Sequence, residues 1–253
     1  MQQPSRHILV LGGTTEASAL AEALAARGDE AVLSYAGRVA RPRVQPIATR
    51  VGGFGGVDGL VRYLRDEGVT HLVDATHPFA GQMSANAVAA AERAGVPLVA
   101  LTRPGWRAKA GDRWQRVPDI AAAVAALAGP PRRIMLALGR MHVGAFAVRP
   151  QHFYLLRFVE AGGEAPPLPH HHLVIDRGPF DAEGDRRLMV AHGIDLVLAK
   201  DAGGTGASAK LDAARALGLP VMLIDRPAVP ARREMHDVAA VLRWIDHDAD
   251  RGV

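Results

Sequence analysis

The sequence predicts an α/β fold: two doubly wound units, each a parallel sheet covered by helices. Three observations predict it. Short apolar runs alternate with helical patterns along the chain, as a parallel sheet covered on both faces requires. Gly12-Gly13 separates the first strand from the first helix, and Gly139-Arg140 holds the corresponding place in the second half. The segment from His71 to Pro104 also aligns with that from Asp195 to Pro227. In that alignment His77 meets Asp201, Ser84 meets Ser208, Gly95 meets Gly218 and Arg103-Pro104 meets Arg226-Pro227.

Taken in order, Ile8-Leu9-Val10-Leu11 reads as a buried strand, and Ala17, Leu20, Ala21 and Leu24 follow at helical spacing up to Gly28. Ala31 to Tyr35 is the second strand. Arg50 to Gly56 holds too many glycines for a regular element, and a helix begins near Asp58. His71 to Ala75 and Leu98 to Leu101 are strands flanking an alanine-rich helix. Gly105 to Arg116 is a basic excursion bearing Trp106 and Trp114, and Gly129-Pro130-Pro131 is the best linker. The domain boundary is therefore expected there, giving residues 1–130 and 131–253. In the second half Ile134 to Leu138, Phe153 to Phe158, Asp195 to Ala199 and Val221 to Ile224 are the strands. The glycine- and proline-rich span from Glu160 to Asp185 reads as a long loop, a lid with Arg177 reaching a ligand, or an insertion without a role. His170-His171-His172 lies within it. Adjacent histidines on an extended chain point alternately, so no metal site is expected.

A helix opening out of a glycine turn presents unpaired N–H groups and the positive end of its dipole, and so binds phosphate. In the dinucleotide fingerprint G-x-G-x-x-G/A the first Gly is Gly12 and the last position is Ala17, with Thr14 in place of the middle glycine. A tight βα turn without a ligand explains the same letters. The second strand points further: its end carries Ser34 and then Arg38, where an NAD site carries a carboxylate. A hydroxyl followed by a guanidinium suits the 2′-phosphate of NADP. The expected cofactor residues are Gly12, Gly13, Thr14, Thr15, Glu16, Ser34, Arg38, Gly53 and Thr76.

Composition bounds the partners. Over 253 residues, 30 Lys plus Arg against 26 Asp plus Glu leave a net charge of +4, which favours an anionic ligand. Aromatic residues are 5% and no basic helix interleaved with aromatics occurs, which argues against nucleic acid. Cysteine is absent, excluding disulfides and thiolate chemistry. No apolar run is long enough to span a membrane, so a soluble cytoplasmic protein is expected.

Four segments together resemble the precorrin-6A reductase family of cobalamin biosynthesis: Leu11 to Ala17, Asp74 to Ala80, Leu101 to Trp106 and Lys200 to Gly206. The resemblance implies two Rossmann-like domains with the active site in the cleft between them, and NADPH on the first. It implies hydride delivery to a ring double bond of a metal-free tetrapyrrole, precorrin-6A, fringed with acetates and propionates. A related branch reduces the cobalt-containing equivalent, and a nucleotide-binding regulator without chemistry is the reading from another class. Neighbouring enzymes of the cobalamin pathway are further candidate partners. A polycarboxylated macrocycle needs a basic cradle at strand ends, for which Arg103, Arg107, Arg140, His142, Arg177, Lys200 and Lys210 are expected. The candidate catalytic residues are His77, Lys200 and Asp201, with His77 or water as proton source. Asp201 is expected to orient Lys200 or the nicotinamide carboxamide, or to cap the turn after it.

Overall fold

The structure, a computed structural model, describes residues 6–36, 44–159, 164–176, 178 and 180–249. In chain order it contains β1 (His7–Leu11), α1 (Thr15–Arg27), β2 (Glu30–Tyr35), β3 (Ala48–Val51), α2 (Gly56–Asp66) and β4 (His71–Asp74). Next come α3 (Gly81–Ala94), β5 (Leu98–Leu101), β6 (Arg113–Val117), α4 (Ile120–Ala126), β7 (Arg133–Ala137) and α5 (Arg140–Val143). The rest is β8 (Phe153–Phe158), β9 (His171–Ile175), α6 (Ala182–Ala191), β10 (Leu196–Lys200), α7 (Ala209–Ala216), β11 (Pro220–Ile224), β12 (Glu234–Met235) and α8 (Val238–Ala249).

These elements form two compact units: Met1–Arg103 with Ala228–Val253, and Pro104–Pro227. The first sheet runs β12-β5-β4-β1-β2-β3 and the second β6-β11-β10-β7-β8-β9. Every pairing is parallel. Each is the doubly wound order 3-2-1-4-5-6, with β7 to β11 repeating β1 to β5. Two similar doubly wound units are therefore what the structure contains.

Side chains explain why both faces are covered. Along β1, Ile8 and Val10 join a core with Leu20 and Leu24 of α1 and Trp244 and Ile245 of α8. Leu9 and Leu11 join the opposite core, with Leu60 and Leu64 of α2 and Ala87 and Ala90 of α3. Strict alternation into two apolar layers is what turns a continuous hydrophobic run into a central parallel strand. In the second unit Met135, Leu155, Val197 and Val221 meet Met189 of α6 and Leu211 and Ala214 of α7 in the same way.

The boundary differs from the expected 130/131. The chain crosses after Arg103 and returns after Pro227, so the two Arg-Pro pairs of the repeat mark the crossings. Gly129-Pro130-Pro131 is a surface turn between α4 and β7, inside the second unit. The excursion from Gly105 to Arg116 is no free loop either: it feeds β6, which pairs with β11 from Pro220↔Arg113 to Ile224↔Val117. Nor is Glu160 to Asp185 one long loop. His171 and His172 belong to β9, which pairs with β8 from Tyr154↔His171 to Phe158↔Ile175, and α6 starts at Ala182.

A buried carboxylate secures the crossing into the second unit. Asp201, at the end of β10, accepts from the Trp106 backbone N–H at 2.9 Å and from the Arg116 guanidinium at 2.7 Å. Its side chain is 4% exposed against 43% for Arg116, so losing it strands a donor more than it breaks a pair. Asp201→Ala should cost about 3 kcal/mol and lower the urea midpoint of the tryptophan-reported transition. An unchanged midpoint would show that this carboxylate does not hold Trp106 and Arg116 in place.

Candidate active site

Ligands of doubly wound sheets bind at the carboxyl ends of the strands, and in the first unit that edge gathers most of the expected cofactor residues. The turn from β1 to α1 runs through Gly12 and Gly13. A Cβ on Gly12 would stand 2.7 Å from Leu33 Cδ1, and Gly13 has φ +121 with open space beside it. Only glycines therefore let this backbone lie flat against β2 and leave room for a ligand above it. Thr14, the departure from the fingerprint, is the helix N-cap. Its Oγ1 accepts from Ala17 N at 3.1 Å and donates to Ala75 O at 2.8 Å, tying the turn to the end of β4. Thr15 Oγ1 donates to Glu16 at 3.1 Å, and Glu16 pairs with Arg103 at 3.2 Å. Arg103 thus sits beside the first turn of α1, at the end of β5.

The neighbouring strand ends carry the rest. Ser34 is buried in β2, and Gly12 N donates to its carbonyl at 2.9 Å. Gly53 lies in the turn after β3, where its carbonyl accepts from Arg50 at 3.3 Å. Thr76 donates from N and Oγ1 to Asp74 at 3.1 and 2.7 Å. Asp74 also pairs with Arg232, so it is a structural acceptor. His77 Nδ1 accepts from Phe79 N at 3.1 Å, which places the proton of the neutral ring on Nε2. Arg38 lies outside the described residues.

In the second unit Arg140 and His142 lie on α5, directly after β7, and Lys200 ends β10. All three stand at the carboxyl edge. Arg140 donates to Glu164 O at 3.2 Å, and its guanidinium lies 4.3 Å from the centroid of the Phe158 ring. Arg107 is exposed on the loop before β6, next to Trp106, whose indole donates to Gly204 O at 2.7 Å. Arg177 lies outside the described residues.

Asp201 turns one oxygen to the Trp106 N–H and the other to the Arg116 guanidinium. One expectation is corrected. Lys210 is not a loop cation awaiting a carboxylate. It occupies the first turn of α7, is buried, donates to Ala207 O at 2.5 Å and lies 5.2 Å from the Trp106 ring centroid. Arg50, Arg116 and Arg232 were not expected. In the sequence Arg50 reads as the start of a glycine loop and Arg116 as the end of the basic excursion, and the pairings of β3 with β2 and of β6 with β11 show where those two stand.

The profile of the family described as precorrin-6x reductase CbiJ/CobK matches residues 7–246, through both units. The chain belongs to this family. It is 59% identical over 248 residues to the precorrin-6A reductase of Rhodobacter capsulatus, covering 97% of this chain and 99% of that one. Against the precorrin-6A reductase of Rhodococcus erythropolis it is 47% identical, over 94% and 96%. A solved structure named CobK precorrin-6A reductase superposes with TM-score 0.90 at 58% identity, covering 98% of each chain.

In this family member Lys210 gives a measurable pH signature. Burial first, and the nearby Arg157 second, lower its ammonium to about 8, against a partial opposing effect of Asp185. The folded state therefore sheds this proton before the unfolded one does. The burial penalty is fully present below about pH 8 and is relieved as pH rises toward the ordinary lysine value. Lys210→Met should stabilise by about 1–3 kcal/mol at pH 7, and its advantage over wild type should shrink between pH 8 and 10.5. A difference that does not vary with pH in that window would mean Lys210 is not buried charged.

Proposed function

We propose that this chain reduces a ring double bond of precorrin-6A with NADPH, as an oxidoreductase acting on a CH–CH group in cobalamin biosynthesis. The observation that carries the reading is that the family match runs through both units. The match thus includes both the phosphate-binding turn of one unit and the basic edge of the other.

The first unit fits a dinucleotide. Its turn offers the unpaired N–H groups at the start of α1 and open space beside Gly13, as a pyrophosphate needs. Arg103 offsets the charge that Glu16 would otherwise place beside that pyrophosphate. NADPH, when bound, supplies the hydride. Ser34 and Arg38 are our residues for the adenosine ribose and its phosphate, with Gly53 and Thr76 at the flanking strand ends. His77 or water is our proton source for the ring carbon next to the one that is reduced, His77 acting in its imidazolium form.

The second unit fits a flat, carboxylate-fringed ring. Met141, Val159 and Ile175 are 71%, 59% and 45% exposed, and all belong to its carboxyl edge, an apolar surface among basic groups. Arg140, His142, Lys200 and Arg107 are our partners for the substrate carboxylates, with Arg177 as a further one. No helix among the described residues is long and apolar enough to cross a membrane. We place the enzyme in the cytoplasm.

Adding precorrin-6A to enzyme and NADPH should lower nicotinamide absorbance in step with a change in the tetrapyrrole spectrum. Binding of NADPH without oxidation would instead favour the regulatory reading, and turnover only with the cobalt-containing substrate would move the assignment to that branch. His77→Asn should lower kcat by about 10²–10⁴ with NADPH affinity unchanged. Arg140→Ala should raise KM for the tetrapyrrole by roughly tenfold or more at similar kcat.

A further inference from the structure

We propose that Arg50 reads the 2′-phosphate of the cofactor and so sets the choice between NADP(H) and NAD(H). The proposal rests on the dinucleotide reading of the first unit and adds to it a residue that faces the adenosine end. In the β2–β3 ladder Arg50 pairs with Ser34, the position where a dinucleotide site reads the ribose. One Nη atom donates to Ser34 Oγ at 2.8 Å and to Gly52 O at 3.0 Å, and the other to Gly53 O at 3.3 Å. The guanidinium also lies 3.9 Å from the centroid of the Phe54 ring and 5.2 Å from that of Tyr63.

This environment is built rather than incidental. Gly59 of α2 has no Cβ, and one there would fall 1.6 Å from the Phe54 carbonyl, so that glycine is what lets the loop bearing Phe54 settle on the helix. Gly52 N donates to Tyr35 O at 2.9 Å, hooking the same loop to the end of β2. Gly12 of the phosphate turn is hooked to the adjacent residue's carbonyl, Ser34 O. A single strand end thus positions the pyrophosphate turn and the guanidinium together.

The partners of Arg50 are what separate it from a structural arginine. Arg103, Arg116, Arg157, Arg215 and Arg232 each pair with a carboxylate. All of the Arg50 partners are neutral oxygens, and no carboxylate lies within ion-pair distance of it among the described residues. Of its five N–H donors, three are used to hold its orientation, which leaves two and the full positive charge. A guanidinium already fixed by ring faces and carbonyls loses little freedom when it receives a phosphate in bidentate fashion.

The test measures binding alone, on the full chain, by calorimetry with 2′,5′-ADP and 5′-AMP as probes. Wild type should bind 2′,5′-ADP at least tenfold more tightly. Arg50→Ala should weaken 2′,5′-ADP by about 10- to 100-fold while changing 5′-AMP less than twofold. Arg50→Lys keeps the charge and the stem but not the fork, so it should lose a smaller part of the preference and serves where the alanine variant does not fold. Equal loss for both probes would make Arg50 a support of the loop and overturn the proposal. A preference for 2′,5′-ADP retained in both variants would overturn it while leaving the NADP reading standing. Wild type without any preference would overturn both.

Discussion

Each sheet carries a sixth strand beside its fifth, and in both units that strand reaches the sheet only after a chain crossing. β12 is two residues long and β6 is largely polar, so neither brings enough apolar surface to hold itself. A carboxylate at the end of the fourth strand does much of the holding. In the second unit Asp201 takes the Trp106 N–H and the Arg116 guanidinium, and Arg116 also pairs with Asp225 at 2.6 Å. In the first unit Asp74 takes Arg232, two residues before β12, together with both donors of Thr76. The backbone completes the arrangement, with Ala100 N donating to Arg233 O at 2.8 Å and Thr102 N to Met235 O at 2.9 Å. Because these carboxylates stand at the carboxyl edge, fixing the outer strand also fixes the loops that carry the ligand residues. The glycine loop after Asp201 is one example: a Cβ on Gly203 would stand 2.3 Å from Pro104 O, so the crossing itself shapes it.

Central strands were legible in the sequence because burial on two faces demands continuous apolar runs, and β1, β4, β7 and β10 show them. Edge strands were not. β3 has the burial pattern of an exposed ribbon and β6 alternates charge with Trp and Gln, so both read as loops. The phosphate turn was legible from its glycines and its helix start, since that chemistry is local. The contacts of Asp201 were not legible because its partners lie 95 and 85 residues away in sequence. Lys210 was misread for a related reason: Trp106, which covers it, comes from a segment taken for a free excursion. Arg50 needed the β2–β3 register, and that register needed a strand the sequence did not announce.

The positive excess of the chain also takes on a sharper meaning. A net charge of +4 suggests a diffuse attraction for anions, but many of the arginines are committed to internal pairs. Such pairs are close to neutral at a distance and steer nothing. What acts on a ligand is a guanidinium whose own contacts are uncharged and which stands at a carboxyl edge. Neutral partners alone are insufficient: Arg149 donates to Val124 O and Arg133 to His192 O, both away from the strand ends where ligands bind. Arg50 meets both conditions in the first unit, held by a hydroxyl and two carbonyls at the end of β2. In the second unit Arg140 stands at the corresponding edge beside β7, donating to Glu164 O with its guanidinium against the Phe158 ring. Orientation without neutralisation is the physical difference between an arginine that builds the fold and one that can recognise an anion, and it is set by the atoms around the guanidinium rather than by the residue count.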